Sequence, residues 1–283
     1  MPQGLSLHIG LNRVDPRHYV DGDGQPWDGA LNACETDARD MEALAKKRRF
    51  KVRHRLLTAQ ATADAVIQAI LEAAQRLEAG DLFLLTYAGH GGQVPDTNHD
   101  EDVLPTGQRD RMDETWVLYD RQFIDDELYT LWAKFKAGVR IVVVSDSCHS
   151  GTVVRAVPPA LMGVPPGTRI RRMPVRVADR TFAAHCDLYT DLQTANPTAE
   201  QSKVKASVLL LSGCQDNQFS MDGDRNGLFT GTLKQVWRGG RFKGTYRSLR
   251  DQVAALMPAA QTPNYYVVGK PNPTFEAQHP FTI

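Results

Sequence analysis

The chain has little cysteine, no charge excess of either sign and no long apolar run. Its four cysteines, Cys34, Cys148, Cys186 and Cys214, are scattered and contain no C-x-x-C pair. That spacing argues against a disulfide framework or a structural zinc site and makes a reducing compartment, the cytoplasm, the expectation. Lys plus Arg and Asp plus Glu each number 33, so the formal net charge is zero. A protein that binds nucleic acid by neutralising phosphates carries a basic excess or stripe, so no nucleic-acid partner is expected. No apolar run approaches the ~18 residues of a membrane span. The first ten residues, MPQGLSLHIG, have neither the basic n-region nor the apolar stretch of a secretory leader. No membrane association is expected.

What is present is an apolar share of 42% over 283 residues, enough for a substantial core. Three short runs, Leu82–Tyr87, Ile141–Ser145 and Val208–Ser212, are continuously apolar rather than alternating. Strands covered on both faces of a parallel sheet read this way. Leu5–Leu11, Lys51–Leu57 and Tyr265–Val268 are further strand candidates. Between them, Thr62–Ala79 repeats apolar residues at helical steps (Val66, Ile70, Ala73, Leu77), with Thr62 as N-cap and Asp64 in the first turn. Glu35–Arg49 does the same with Ala38, Met41 and Ala45. Asp125–Lys136, Gly227–Arg238 and Tyr246–Met257 carry fainter helical patterns. Strands alternating with helices predict α/β architecture with a mostly parallel sheet. Two stretches break the rhythm: the acidic Gln93–Arg111 and the Pro- and Arg-rich Val157–Arg180, which shows neither helical nor strand period. The second is expected to be an exposed connector, because neither half of the chain alone completes the sheet.

Ligands of open parallel sheets bind beyond the carboxyl ends of the strands. Two such ends read Tyr87-Ala-Gly-His-Gly-Gly92 and Asp146-Ser-Cys-His-Ser-Gly151. A cysteine after one strand and a glycine-flanked histidine after another, about 60 positions apart, suit a thiolate nucleophile and its acid–base partner. Each feature alone is more often a plain turn or a small buried residue. Other hydrolases fit worse. There is no G-x-S-x-G elbow. Cys148 and Arg155 are separated by six residues rather than the five of a cysteine phosphatase loop, and the adjacent Cys148 and His149 suit tetrahedral zinc poorly.

At these residues the chain resembles the metacaspases, among the caspase-like cysteine peptidases. Asn32–Ala38, Asp113-Glu-Thr115, Ile124–Glu127 and Leu211–Gln218 extend the resemblance from about residue 5 to 270. The Q-A-C-x-G signature of caspases proper is absent. The resemblance implies a caspase-type three-layer α/β/α sandwich in one domain over 1–283. A larger part, about 1–156, carries the dyad; a connector spans 157–203 and a smaller part 204–283. It implies cleavage after Arg or Lys in a protein or peptide, with Cys148 as nucleophile, His90 managing the proton, and the amides of Gly91 and Cys148 holding the oxyanion. Asp37, Asp146, Cys34 and Ala88 would line the pocket for the basic side chain, Ala88 standing where many relatives have Ser. No cofactor is needed for that chemistry. Calcium as an activator, at Asp113, Asp125 and Asp126, is implied by the family, whereas acidic loops are ordinarily just solvated. Asp222–Gly227 resembles half of an EF-hand loop, but Leu233 stands where Glu is needed, so a turn before the next helix is expected. For an enzyme that cuts after Arg, the connector's Arg169, Arg171, Arg172, Arg176 and Arg180 are potential self-cleavage positions, with Arg172, Arg176 and Arg180 the named candidates. A monomer is expected. The competing readings are a caspase-fold interaction module and a protease gated by one dedicated partner.

Overall fold

The computed structural model describes residues 1–21, 23–98, 111–148, 168–197, 203–215 and 218–283. Six strands form the main sheet: β1 (Gly4–Gly10), β2 (Lys51–Leu57), β3 (Leu82–Ala88), β7 (Arg140–Asp146), β8 (Ser207–Ser212) and β9 (Asn264–Gly269), in the order β2-β1-β3-β7-β8-β9. All pairs are parallel except β8 with β9, which is antiparallel.

The continuous apolar runs are explained by two cores, one on each face. Leu82 and Leu84 of β3, Val142 and Val144 of β7, and Leu209 and Leu211 of β8 pack against α1 (Cys34–Lys47), α6 (Leu228–Trp237) and α7 (Tyr246–Ala254). Their neighbours Phe83, Leu85, Tyr87, Ile141, Val143 and Val208 point the other way. They meet α2 (Ala63–Arg76) and α3 (Asp125–Trp132). This is the expected three-layer sandwich. Thr62 caps α2, its hydroxyl accepting from the Ala65 amide at 3.2 Å, and Asp64 lies in the first turn. The outer strand β9 leaves Tyr266 and Val267 exposed on the sheet's edge.

The two arrhythmic stretches need correcting. Gln93 belongs to β4 (Gly91–Pro95), which forms a second antiparallel sheet with β5 (Met112–Val117) and β6 (Gln122–Ile124). The connector is not devoid of regular structure: α4 (Val175–Ala184) and α5 (Cys186–Ala195) lie within it. Their buried stripe is narrow, chiefly Val177, Ala178, Thr181, Tyr189 and Gln193, and two of these five are polar. A helix anchored by so few apolar positions leaves little periodic signal. A final helix, α8 (Pro273–Ala277), brings Phe275 into the core beneath α7. Among the described residues no helix is long and apolar enough to cross a membrane.

Candidate active site

The parallel register places the carboxyl ends of β3 and β7 side by side, with Ala88 opposite Asp146. His90 follows one strand and Cys148 the other, and both are buried. The Gly91 amide and the Cys148 amide donate to a single acceptor, the Arg171 carbonyl oxygen, at 3.0 and 3.1 Å. Two backbone N–H groups converging on one oxygen is the geometry of an oxyanion hole. Only glycine fits at position 91: a Cβ there would lie 1.8 Å from the Cys148 carbonyl oxygen. The glycine after the histidine thus lets the two loops close on each other.

His90 Nε2 lies 3.0 Å from the Gly29 carbonyl oxygen. A carbonyl can only accept, so Nε2 bears the hydrogen and Nδ1 is left with a lone pair. Nδ1 is buried and has no hydrogen-bond partner among the described residues. Burial lowers the imidazole pKa to about 4, against the raising influence of the Gly29 carbonyl. His90 is therefore neutral near pH 7, the form that can take a proton. Trp27 covers the ring, their centroids 5.0 Å apart. The Cys148 thiol is held by Ser220, whose amide donates to Sγ. A cavity of about 530 Å³ opens beside His90, between Trp27, Leu31 and the segment from Thr168 to Val175.

That segment lies in the cleft as an extended strand. Arg171 N donates to Ser220 O and Asp222 N to Arg169 O, both at 2.8 Å, and Ile170 bridges Met221 in antiparallel sense. On the far side Met173 N donates to Gly91 O at 2.8 Å. The Arg171 side chain is fully buried between three carboxylates. Its Nη2 donates to Asp37 Oδ2 at 2.6 Å and to Asp222 Oδ1 at 2.9 Å; Nη1 lies 3.0 Å from Asp146 Oδ2. Cys34 and Ala88 cluster with Leu31 as an apolar group at the same strand ends. Of the expected pocket residues, Asp37 and Asp146 touch the guanidinium directly.

Burying three carboxylates around one cation requires further compensation. The N-terminus of α6 supplies part of it. Gly227 N donates to both Asp37 oxygens at 3.2 and 3.1 Å, and Thr230 N and Oγ1 donate to Asp146 Oδ2 at 2.9 and 2.7 Å. These are free amides at the positive end of a helix dipole. Ser220 Oγ and Asn226 Nδ2 complete the shells of Asp146 and Asp37. Even so, burial pushes the Asp37 pKa up to about 6, with Arg171 pulling it down and Asp146 pushing it up. Gly227 is also the pocket wall, since a Cβ there would lie 2.5 Å from the guanidinium carbon.

Sequence reasoning did not assign Asp222, Ser220 or Gly227 to the site. Asp222–Gly227 is the expected turn before a helix, with Gly227 as N-cap of α6, but its first acid faces the pocket. Nor did sequence single out Arg171 among the connector arginines. Arg176 and Arg180, two of the three named positions, are exposed on α4, and Arg172 lies over the Phe219 ring at 5.8 Å. The hydrophobic register around Arg171, with Ile170 and Met173 turned towards the body of the protein, was the signal available. His149 lies outside the described residues. For calcium, Asp113 sits on β5 and Asp125 and Asp126 open α3. Among the described residues no three His, Cys, Asp or Glu side chains are grouped to hold a metal ion, these three included.

Comparison with known proteins agrees with this fold. A family model described as the caspase domain matches residues 19–281. Metacaspase-1 of Mycosarcoma maydis is 27% identical over 234 residues, covering 72% of this chain and 56% of that protein. Metacaspase-1 of Schizosaccharomyces pombe is 31% identical over 182 residues, 56% of this chain and 41% of that one. The chain thus spans about half the length of these curated relatives. Among solved structures, protein GSU0716 from Geobacter sulfurreducens is 51% identical, with a TM-score of 0.87 over 99% of both chains. Caspase-1 from Spodoptera frugiperda shares the fold at 12% identity, with a TM-score of 0.51 over 95% of this chain and 86% of that one.

Proposed function

The chain belongs to the caspase-domain family, as a metacaspase-like member, and from the occupied cleft we propose that it is a cysteine endopeptidase that cleaves after arginine. Its first substrate is its own Arg171–Arg172 bond. The observation that carries this reading is Arg171 itself: guanidinium among carboxylates, carbonyl oxygen on two amides, backbone paired as an added strand. A substrate docked by β-augmentation takes the same form.

The steps follow from the atoms. His90 Nδ1 accepts the Cys148 thiol proton, and Sγ adds to the Arg171 carbonyl carbon. The negative charge that develops on oxygen is met by the Gly91 and Cys148 amides, already in place. On collapse the C–N bond breaks, the electron pair goes to the Arg172 nitrogen, and His90 returns the proton to it. Arg171 is left as a thioester on Cys148. Water, deprotonated by His90, then attacks that thioester, releasing the Arg171 carboxylate and regenerating the thiol. The cavity beside His90 gives water a route.

Until that cut is made, the cleft is closed to other chains. After it, withdrawal of Arg171 strands three buried carboxylates, and breaking a buried ion pair costs about 3–5 kcal/mol. An incoming arginine supplies the replacement cation, so exchange of Arg171 for a substrate arginine is the favoured exit. Intact mass spectrometry tests the reading. Wild type is expected to yield one fragment ending at Arg171 and one beginning at Arg172, Cys148→Ala to stay intact, and Arg171→Gln to lose that cut. Identical intact masses for wild type and Cys148→Ala, with no hydrolysis of arginyl peptides, would favour a binding module on the same fold. Calcium is proposed only as an activator; a titration of the wild type against chelator decides whether rates respond.

A further inference from the structure

Resting on that reading, we infer that Asp222 is a specificity-determining residue that makes the pocket select arginine over lysine. The guanidinium presents three edges, and each carboxylate takes a different one. Asp37 takes Nη2 at 2.6 Å and Asp146 takes Nη1 at 3.0 Å. Asp222 Oδ1 takes the edge shared by Nε, at 3.3 Å, and Nη2, at 2.9 Å. A lysine ammonium can donate to the two acids at the end of the pocket, but it has no donor where Nε stands. Asp222 would then be a buried charge facing a methylene.

The carboxylate is held in this orientation from behind. Its Oδ2 accepts from the Asn32 amide at 2.7 Å, and Oδ1 accepts weakly from the Ala33 amide at 3.4 Å. Both oxygens therefore meet donors, and the group cannot rotate to follow a shorter cation. Asp37 and Asp146 sit on the larger part of the chain and Asp222 on the smaller, so the third edge is read only when the two parts are assembled. The pocket needs it on another count as well: Ala88, at the end of β3 opposite Asp146, offers no polar side-chain atom.

The test compares kcat/KM on matched peptides ending in Arg or Lys for wild type, Asp222→Asn and Asp222→Glu. An asparagine has one acceptor for two sets of donors, so its NH2 must face either the Asn32 amide or the guanidinium. Wild type is expected to prefer Arg by about tenfold or more. Asp222→Asn is expected to lose roughly tenfold to a hundredfold on Arg and far less on Lys, collapsing the ratio. Asp222→Glu, which keeps the charge, should recover part of the Arg preference. A general structural defect would lower both substrates together, and equal losses overturn the inference. The wild-type ratio needs no variant to fold: equal cleavage after Arg and Lys overturns the role of Asp222 and leaves the protease reading standing. Cleavage after neither removes both.

Discussion

The two halves of the cleft are built on opposite plans. The half that holds the Arg171 side chain is saturated: each of its three carboxylates has donors behind it as well as the guanidinium in front. The half that would do the chemistry is sparse. The His90 ring is anchored at Nε2 by the Gly29 carbonyl, and among the described residues its Nδ1 has no hydrogen-bond partner. The difference follows from what each half must do. A specificity pocket gains from rigidity, because a misplaced charge in a dry site is costly. A general base must keep a lone pair free for a proton that arrives only during reaction.

The largest expected effect breaks the sparse half alone. His90→Ala should lower the turnover of arginyl peptides by about 10²–10⁴-fold while leaving the pocket intact. The uncut chain should accumulate on a gel, and alkylation of Cys148 by iodoacetamide should slow, because no base draws off the thiol proton. Retained self-cleavage would show that another group serves as base. Gly227→Ala breaks the other half. The added Cβ meets the guanidinium at 2.5–2.6 Å, and overpacking of this kind costs roughly tenfold to a hundredfold. Here Cys148 should alkylate faster rather than slower, since an arginine excluded from the pocket no longer holds the segment over the thiol. Opposite alkylation responses in the two variants would establish the division; parallel responses would erase it.

The smallest effect is a pH dependence that separates the halves without mutation. His90 is neutral down to about pH 4, so it contributes no acid limb near neutrality. Asp37 is raised to about 6 with arginine present; its charged form, which binds arginine, is lost as pH falls through that value. Emptied of arginine, the pocket lacks the influence that lowers the Asp37 pKa, so the free-enzyme limb lies higher still. The expected profile of kcat/KM for arginyl peptides is a fall on the acid side beginning above pH 6, steeper in KM than in kcat. A limb confined to pH 4 would assign it to His90 instead.

Most of the sheet and the placing of the candidate dyad at its strand ends could be read from residue order, because both are short-range signals. A doubly buried strand needs an unbroken apolar run, and Leu82–Tyr87, Ile141–Ser145 and Val208–Ser212 supply it. His90 and Cys148 stand a fixed step beyond two of those strands, so placing the strands places them, and Asp37 and Asp146 come with α1 and β7. The helices α4 and α5 were hidden because they are anchored by a few mixed polar and apolar contacts such as Tyr189 and Gln193. The small sheet was hidden because β4 runs into a stretch whose composition resembles a loop and its partners β5 and β6 are short, six and three residues.

Tertiary structure alone decided the occupancy and completion of the pocket. By composition Arg171 is one of five connector arginines, and only the apolar Ile170 and Met173 beside it hint that this stretch packs inward. Asp222 reads as a turn residue from a half-matched calcium loop. They meet because the smaller part of the chain returns beside β7 and brings Ser220–Gly227 against α1, residues more than 180 positions apart in sequence. Charge recognition depends on distances of a few ångströms between such remote segments. Local patterning sets which strands and helices form; only their packing sets which carboxylates end up facing one arginine.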